Sequence, residues 1–199
     1  MNSRLRVVLQ ASPEQAARLR ALQQAFAEVC NALAPLVQQT RCWNRVTLHH
    51  LAYRDLRARF PSLGSQMVCN AIYSVSRTGR AVFQNPQSPF HLARWGDRPL
   101  PHLKFAEGCP VYFDRHTLSL KAGQLSMFTL DGRMRFQVML QPEEEATFHA
   151  RKLREIVLTR HGEATFELAF WFGDLEDETT APAAAGAQIP DYILVQEPA

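Results

Sequence analysis

The stretch RLRVVLQASPEQ, residues 4–15, combines a strand pattern with the start of a helix. Every second residue in its first half is apolar, which is typical of a half-buried strand: Leu5, Val7 and Leu9. Ser12 can cap a helix whose first position is Pro13, and Gln15 completes a capping box. We therefore predict that residues 1–11 form a first strand that leads directly into a long helix.

Residues 12–84 carry the apolar spacing of three helices and are predicted to form one helical segment. Pro35 is expected to end or bend the first helix, because proline removes a backbone hydrogen bond. The second helix is expected over residues 47–60, and the third begins near Ser65. The segment therefore separates the first strand from every later strand pattern.

The second half of the chain is rich in short strand patterns. Residues 85–108 contain several prolines and glycines and are predicted to be a linker loop. Residues 142–150 are expected to be an acidic connection, and residues 174–199 an acidic, Ala/Pro-rich tail. Within that tail, Tyr192 to Val195 is left open as a further strand. Tight turns such as Asp131-Gly132 separate the strand patterns of residues 109–173: 110–113, 117–121, 125–130, 133–140, 152–160 and 164–172.

This order of elements predicts an α+β fold. The first strand needs partners, and the nearest strand patterns follow only after the helical segment and the loop. The economical solution is a small antiparallel, OB-like β-barrel with a three-helix insertion after its first strand. Closing a barrel removes exposed strand edges, and OB-like barrels commonly bind nucleic acid.

The charge of the chain is unevenly distributed. Residues 1–80 contain 11 Lys or Arg and 3 Asp or Glu, whereas residues 173–199 contain 6 acidic residues and no basic one. A basic front favours a polyanionic partner. Of the 22 basic residues 19 are Arg, which suits phosphate contact and stacking on bases. A GC-rich genome also enriches Arg, so this preference has two interpretations.

Other features of the sequence argue against several classes of protein. No apolar run reaches the roughly 18 residues of a membrane span, and the first residues lack the pattern of a signal peptide. The four cysteines form no C-x-x-C pair, which argues against a zinc ribbon and a disulfide scaffold. We expect reduced cysteines in a cytoplasmic protein that binds neither a membrane nor a cofactor.

The candidate nucleic-acid-binding residues lie in the helical segment and the following loop. In one short run, Arg41 and Arg45 flank Trp43, a composition suited to phosphate contact with base stacking. Packing of Trp43 under the helices is an equal alternative. For the other cations the alternative is a solvated surface, and for the two amides it is helix capping: Arg54, Arg57, Arg59, Arg77, Arg80, Arg94, Lys104, Gln66 and Asn70.

Several strings, in order, resemble the TnpB family of transposon proteins (the OrfB type) and its type V CRISPR relatives. The resemblance covers residues 4–172. It lies in Ser12-Pro13-Glu14-Gln15, Asn31, LAYRDLR (51–57), LGSQM (63–67), PVYFD (110–114) with TLSL (117–120), LDGR (130–133) and the segment 155–172.

The resemblance implies a wedge-type β-barrel interrupted by a helical recognition domain. In that family these parts bind a guide RNA and its heteroduplex with target DNA, and they help to read a short flanking DNA motif. The implied partners are therefore a guide or other structured RNA and a double-stranded DNA target.

The nuclease motif of that family is missing from the sequence. Family members continue from the last barrel strand into G-[IV]-D-x-G, whose Asp is the first metal ligand of the RuvC-like nuclease. Here Gly173 is followed at once by Asp174, and the family's C-x-x-C zinc element is missing too. A two-metal nuclease needs carboxylates from separate elements, whereas these crowd into one run: Asp174, Glu176, Asp177 and Glu178. We expect no catalytic residue, no metal site and no intrinsic nuclease activity.

Three functions stay open. The first is a nuclease-dead, RNA-guided DNA binder or an RNA-binding subunit. The second is one half of a split RNA-guided nuclease whose RuvC domain lies on another chain. A second copy of the chain itself is a further candidate partner. The third is a decayed transposon fragment without a role.

Overall fold

A computed structural model describes residues 3–173 and 189–198, which form a mixed α+β fold. Five α-helices lie in these residues, and a π-helical turn at Arg80–Gln84 follows the third of them. None of the described helices combines the length and the apolar character needed to cross a membrane. The helices are α1 (Pro13–Thr40), α2 (Arg45–Arg59), α3 (Ser65–Gly79), α4 (Leu92–Trp95) and α5 (Pro142–Ala150).

The described residues contain nine strands, which form three antiparallel sheets with the orders β1-β8-β7-β3, β4-β5-β6 and β2-β9. Among the described residues none of these sheets closes on itself. The α+β class is thus confirmed, whereas the OB-like barrel stays a prediction. The strands are β1 (Ser3–Gln10), β2 (His102–Phe105), β3 (Val111–Phe113), β4 (Leu118–Lys121), β5 (Gln124–Thr129), β6 (Gly132–Gln137), β7 (Leu153–Arg160), β8 (Thr165–Phe172) and β9 (Ile193–Gln196).

The described residues form two compact units. The first unit consists of residues 3–23 and 110–173, and the second unit consists of residues 24–109 and 189–198. Helix α1 contributes its start to the first unit and its remainder to the second.

The core of the first unit follows from the alternation in β1. This strand pairs with β8, so that Leu5 lies opposite Phe170 and Val7 opposite Leu168. All four side chains are buried. The predicted capping box is also present at the start of α1, because the Ser12 N–H donates to Gln15 Oε1 (2.9 Å) and the Gln15 N–H donates to Ser12 Oγ (3.1 Å).

The β5–β6 hairpin of the first unit is tied to α1 by one arginine. Arg18 Nε donates to Asp131 Oδ1 (2.8 Å) and its Nη2 donates to Thr129 Oγ1 (2.9 Å). The hydroxyl of Thr129 and then the guanidinium of Arg18 hold the pKa of Asp131 below its ordinary value. The predicted turn at Asp131-Gly132 is thus fixed from one side.

Helix α1 does not end at Pro35, so the predicted end there is wrong, whereas the alternative of a bend stays a prediction. The helix continues to Thr40, although a proline inside a helix costs about 3 kcal/mol. Burial of Leu33 and Val37 on both sides of the proline offsets this cost. Gln38 Nε2 also donates to the carbonyl of Leu100 (2.8 Å) in the same unit.

Three segments are more regular than the sequence suggested. Residues 85–108, predicted to be a linker loop, contain α4 and β2. Strand β2 pairs with β9, so the open alternative of a strand near Tyr192 is confirmed. The acidic connection at 142–150 is a helix, α5, whose capping box is formed by Gln141 and Glu144. The rest of the predicted acidic tail, residues 174–188, lies outside the described residues.

Candidate nucleic-acid interface

Helix α2 in the second unit presents most of its circumference to solvent. Its N-cap is Asn44, whose side chain accepts from the Thr47 N–H (3.1 Å). The buried residues of the helix are spaced four apart, which confines its packing contact to one narrow stripe: Leu48, Ala52 and Leu56. The exposed residues of α2 are available to a partner.

The exposed face of α2 combines a cation with apolar side chains. Val46 is 58% exposed and Leu51 is 54% exposed. His50 and Arg54 are exposed as well, and they are neighbours on the helix surface because they are four residues apart. Within residues 3–173 and 189–198, the guanidinium of Arg54 has no hydrogen-bond or ion-pair partner. This cation is therefore free to contact an anion.

A stacked pair of rings on α2 was not among the predicted site residues. The rings of His49 and Tyr53 lie 4.5 Å apart between centroids and 16° from parallel, and both side chains are half-buried. Nearby on the same unit, the Arg45 guanidinium lies 5.7 Å from the centroid of the Tyr73 ring. Flat rings beside cations are the surfaces on which nucleobases stack. The i, i+4 spacing of the two aromatic residues is the sequence signal that indicates such a pair.

Trp43 packs against the end of α3. A Cβ placed on Gly79 would lie 2.6 Å from Trp43 Cβ, so only glycine permits this approach. The indole lies 5.4 Å from the Phe83 ring and its Nε1 donates to Gln84 Oε1 (3.2 Å). The backbone carbonyl of Trp43 accepts from Ser76 Oγ (2.6 Å). These contacts favour the packing interpretation of Trp43 over stacking on a base.

Several of the candidate arginines form hydrogen bonds or ion pairs with other groups of the protein. Arg41 donates to the carbonyls of Gly96 (2.6 Å) and Arg98 (2.8 Å). Arg57 donates to the carbonyl of Leu63, and Arg94 donates to that of Ser88 (3.1 Å). Arg59 forms an exposed ion pair with Asp55 (3.3 Å). Guanidinium groups that close loops in this way have fewer donors left for a phosphate.

The three remaining candidates of α3 also have contacts inside the protein. Asn70 is buried, and its Nδ2 lies 3.8 Å from Met67 Sδ, which keeps the amide away from a base edge. Gln66 is half-buried and Arg77 is exposed, and each interacts with other protein groups.

Arg80 and Lys104 resemble Arg54 in having an uncommitted charge. Arg80 is half-buried at the C-cap of α3. Lys104 is exposed on β2, between the buried side chains of Leu103 and Phe105. In the part of the chain that the structure describes, neither charged group has a partner. The second unit thus holds three candidate cations that are free to bind: Arg54, Arg80 and Lys104.

The described residues contain no group of three or more His, Cys, Asp or Glu side chains that could hold a metal ion. The acidic run that starts at Asp174 lies outside them. No disulfide bond joins the four cysteines, all of which lie in the described residues. Burial raises the pKa of Cys30 and raises that of Cys109 to about 12, so both remain thiols at neutral pH.

Comparison with protein-family models gives no match, and comparison with curated proteins gives none either. The resemblance to TnpB-family proteins therefore stays a prediction.

Proposed function

We propose that this chain binds nucleic acid and that its second unit contacts the phosphates of a structured RNA. One observation carries the proposal: three of the candidate cations have no protein partner among residues 3–173 and 189–198. The described part of this unit contains 10 basic and 6 acidic residues, so its net charge also attracts a polyanion. The cations are Arg54, Arg80 and Lys104.

The stacked rings supply a second kind of contact. Tyr53 and Arg54 are consecutive in α2 and point about 100° apart, so an RNA strand that crosses both faces can place a phosphate at Arg54 and a base at the rings of His49 and Tyr53. Contacts to phosphates release counterions and weaken with salt. Stacking on rings is largely independent of salt and tolerates any base. The two contributions can therefore be separated by measurement.

We further propose that the chain corresponds to the guide-RNA-binding and DNA-binding half of a TnpB-like protein, without nuclease activity. The ordered sequence strings support this assignment. The pairing of β1 with β8 supports it as well. The helical segment lies in the chain between these two paired strands. A wedge-type, OB-like barrel interrupted by a recognition insertion has this order of elements. Its first unit would then hold the barrel strands.

Binding of a structured RNA, measured across a salt series, tests the proposed contact. The double variant Arg54→Gln/Lys104→Gln removes two free cations of the second unit. We expect the slope of log affinity against log salt to flatten by about 0.7–0.9 for each phosphate that the variant no longer neutralises. The matched control is Lys121→Gln/Lys152→Gln, which removes the same charge from exposed positions of the first unit.

The comparison of the two double variants decides the result. If both flatten the slope equally, the RNA senses only net charge and the proposed contact is wrong. The same conclusion follows if neither variant changes the slope. Thermal unfolding of each variant verifies that weaker binding does not come from unfolding.

A further inference from the structure

The first unit contains a cleft of about 690 Å³ that none of the candidate residues lines. One wall comes from Arg20 near the start of α1. The other comes from the turn between β7 and β8, with Arg160, His161, Gly162 and Glu163. The cleft is open to solvent on one side, and its volume leaves room for a nucleotide-sized ligand.

Backbone hydrogen bonds hold the turn in place. The His161 N–H donates to the carbonyl of Thr165 (2.9 Å), and the Ala11 N–H donates to that of Ala164 (2.8 Å). Arg20 Nη1 donates to the carbonyl of Glu163 (3.0 Å), which joins the two walls. The charged side chains are thus presented by a strand end and a helix, and sites on such elements are well ordered.

The lining of the cleft is more cationic than anionic. Arg160 is exposed, and no partner engages its guanidinium within residues 3–173 and 189–198. Arg20 uses one donor on Glu163 and has others left, because a guanidinium carries five N–H groups. No ion pair joins either arginine to the Glu163 carboxylate among the described residues. Two permanent cations therefore face one carboxylate that does not neutralise them.

We propose that this cleft binds the phosphate group of a phosphorylated ligand. Arg160 and Arg20 donate to the phosphate oxygens, since a guanidinium matches two of them at once. The exposed His161 ring supplies a further N–H donor. This site lies in the first unit and does not rest on RNA binding by the second unit.

Titration with inorganic phosphate and with a nucleoside monophosphate, followed by calorimetry, tests the site. Arg160→Gln should weaken the binding of both by about tenfold or more, because a hydrogen bond to a charged group contributes that much. The matched control is Arg135→Gln on β6. Arg135 is also exposed and, among the described residues, also without a partner.

Binding that is intact in the control and weakened in Arg160→Gln supports the cleft as a phosphate site. Equal weakening in both variants would overturn it, since the anion would then sense only net charge. The absence of any binding at millimolar phosphate and nucleotide would overturn it as well.

The same variant identifies where the phosphate comes from. If Arg160→Gln also flattens the salt dependence of RNA binding by about 0.7–0.9, the cleft holds a phosphate of the nucleic-acid backbone. If Arg160→Gln weakens the binding of phosphate and nucleotide but leaves the salt dependence of RNA binding unchanged, the cleft holds a free phosphorylated ligand. RNA binding by the second unit is tested separately by Arg54→Gln/Lys104→Gln, whose salt slope would then stay unchanged. The two proposals can therefore fail independently.

Discussion

The side-chain amide of Asn31 on α1 forms hydrogen bonds with the backbone of β2, as a neighbouring strand would. Its Oδ1 accepts from the Phe105 N–H (2.7 Å) and its Nδ2 donates to the Phe105 carbonyl (2.9 Å). Phe105 is buried, so no solvent replaces these bonds. The Asn31→Ala variant removes two hydrogen bonds and leaves a buried N–H and a buried C=O without a partner.

The cost of Asn31→Ala follows from these two bonds. Each unsatisfied buried group costs about 1–3 kcal/mol, and the better helix propensity of alanine returns roughly 0.5 kcal/mol. For the two groups together we expect a net loss of about 1.5–5.5 kcal/mol in the free energy of unfolding. Urea unfolding followed by tryptophan fluorescence measures it, because Trp43 and Trp95 both belong to the second unit.

Gln39→Ala is the control, since Gln39 is exposed on the same helix and reports helix propensity alone. If Asn31→Ala lies within about 0.5 kcal/mol of this control, the expected range for a neutral surface change, the paired amide does not stabilise β2. The assigned role of Asn31 would then be wrong.

Two further predictions concern the thiols and the last strand. Alkylation of the native chain should modify the half-exposed Cys42 and Cys69 before the buried Cys30 and Cys109, whose thiolates are suppressed; equal rates at all four, read by peptide mass spectrometry, would contradict this. Truncation after Gly173 removes β9 and should lower the unfolding midpoint of the second unit, because β2 loses its paired strand. An unchanged midpoint would show that β9 contributes nothing to stability.

Local patterns in the sequence predict the elements that depend on neighbours in the chain. The alternation in β1, the Ser12–Gln15 capping box and the Asp131-Gly132 hairpin all follow from residues within a few positions of each other. The course of α1 through Pro35 does not, because packing of the residues around it outweighs the local cost. The pairing of β2 with β9 also cannot be predicted locally, since each strand has four residues and its partner is distant.

The candidate site, too, can be predicted only in part from the sequence. Composition correctly indicates an excess of arginine, but it cannot say which guanidinium groups the protein itself uses. Arg41 has the composition of a phosphate-binding residue, yet two backbone carbonyls of its own unit occupy it. Arg54 has the same side chain and no such partner among the described residues. The i, i+4 spacing of His49 and Tyr53 predicts their stacked pair once α2 is known to be exposed on that side.

Sequencing the RNA that copurifies with the chain from its native host tests the proposed function most directly. We expect the parent protein to retain a structured RNA species that is enriched over total cellular RNA. The variant Arg54→Gln/Lys104→Gln should lose most of it, whereas Lys121→Gln/Lys152→Gln should keep it. A parent protein that carries no enriched RNA, or a double variant of Arg54 and Lys104 that retains the same RNA in the same amount, would contradict RNA binding through the free cations of the second unit.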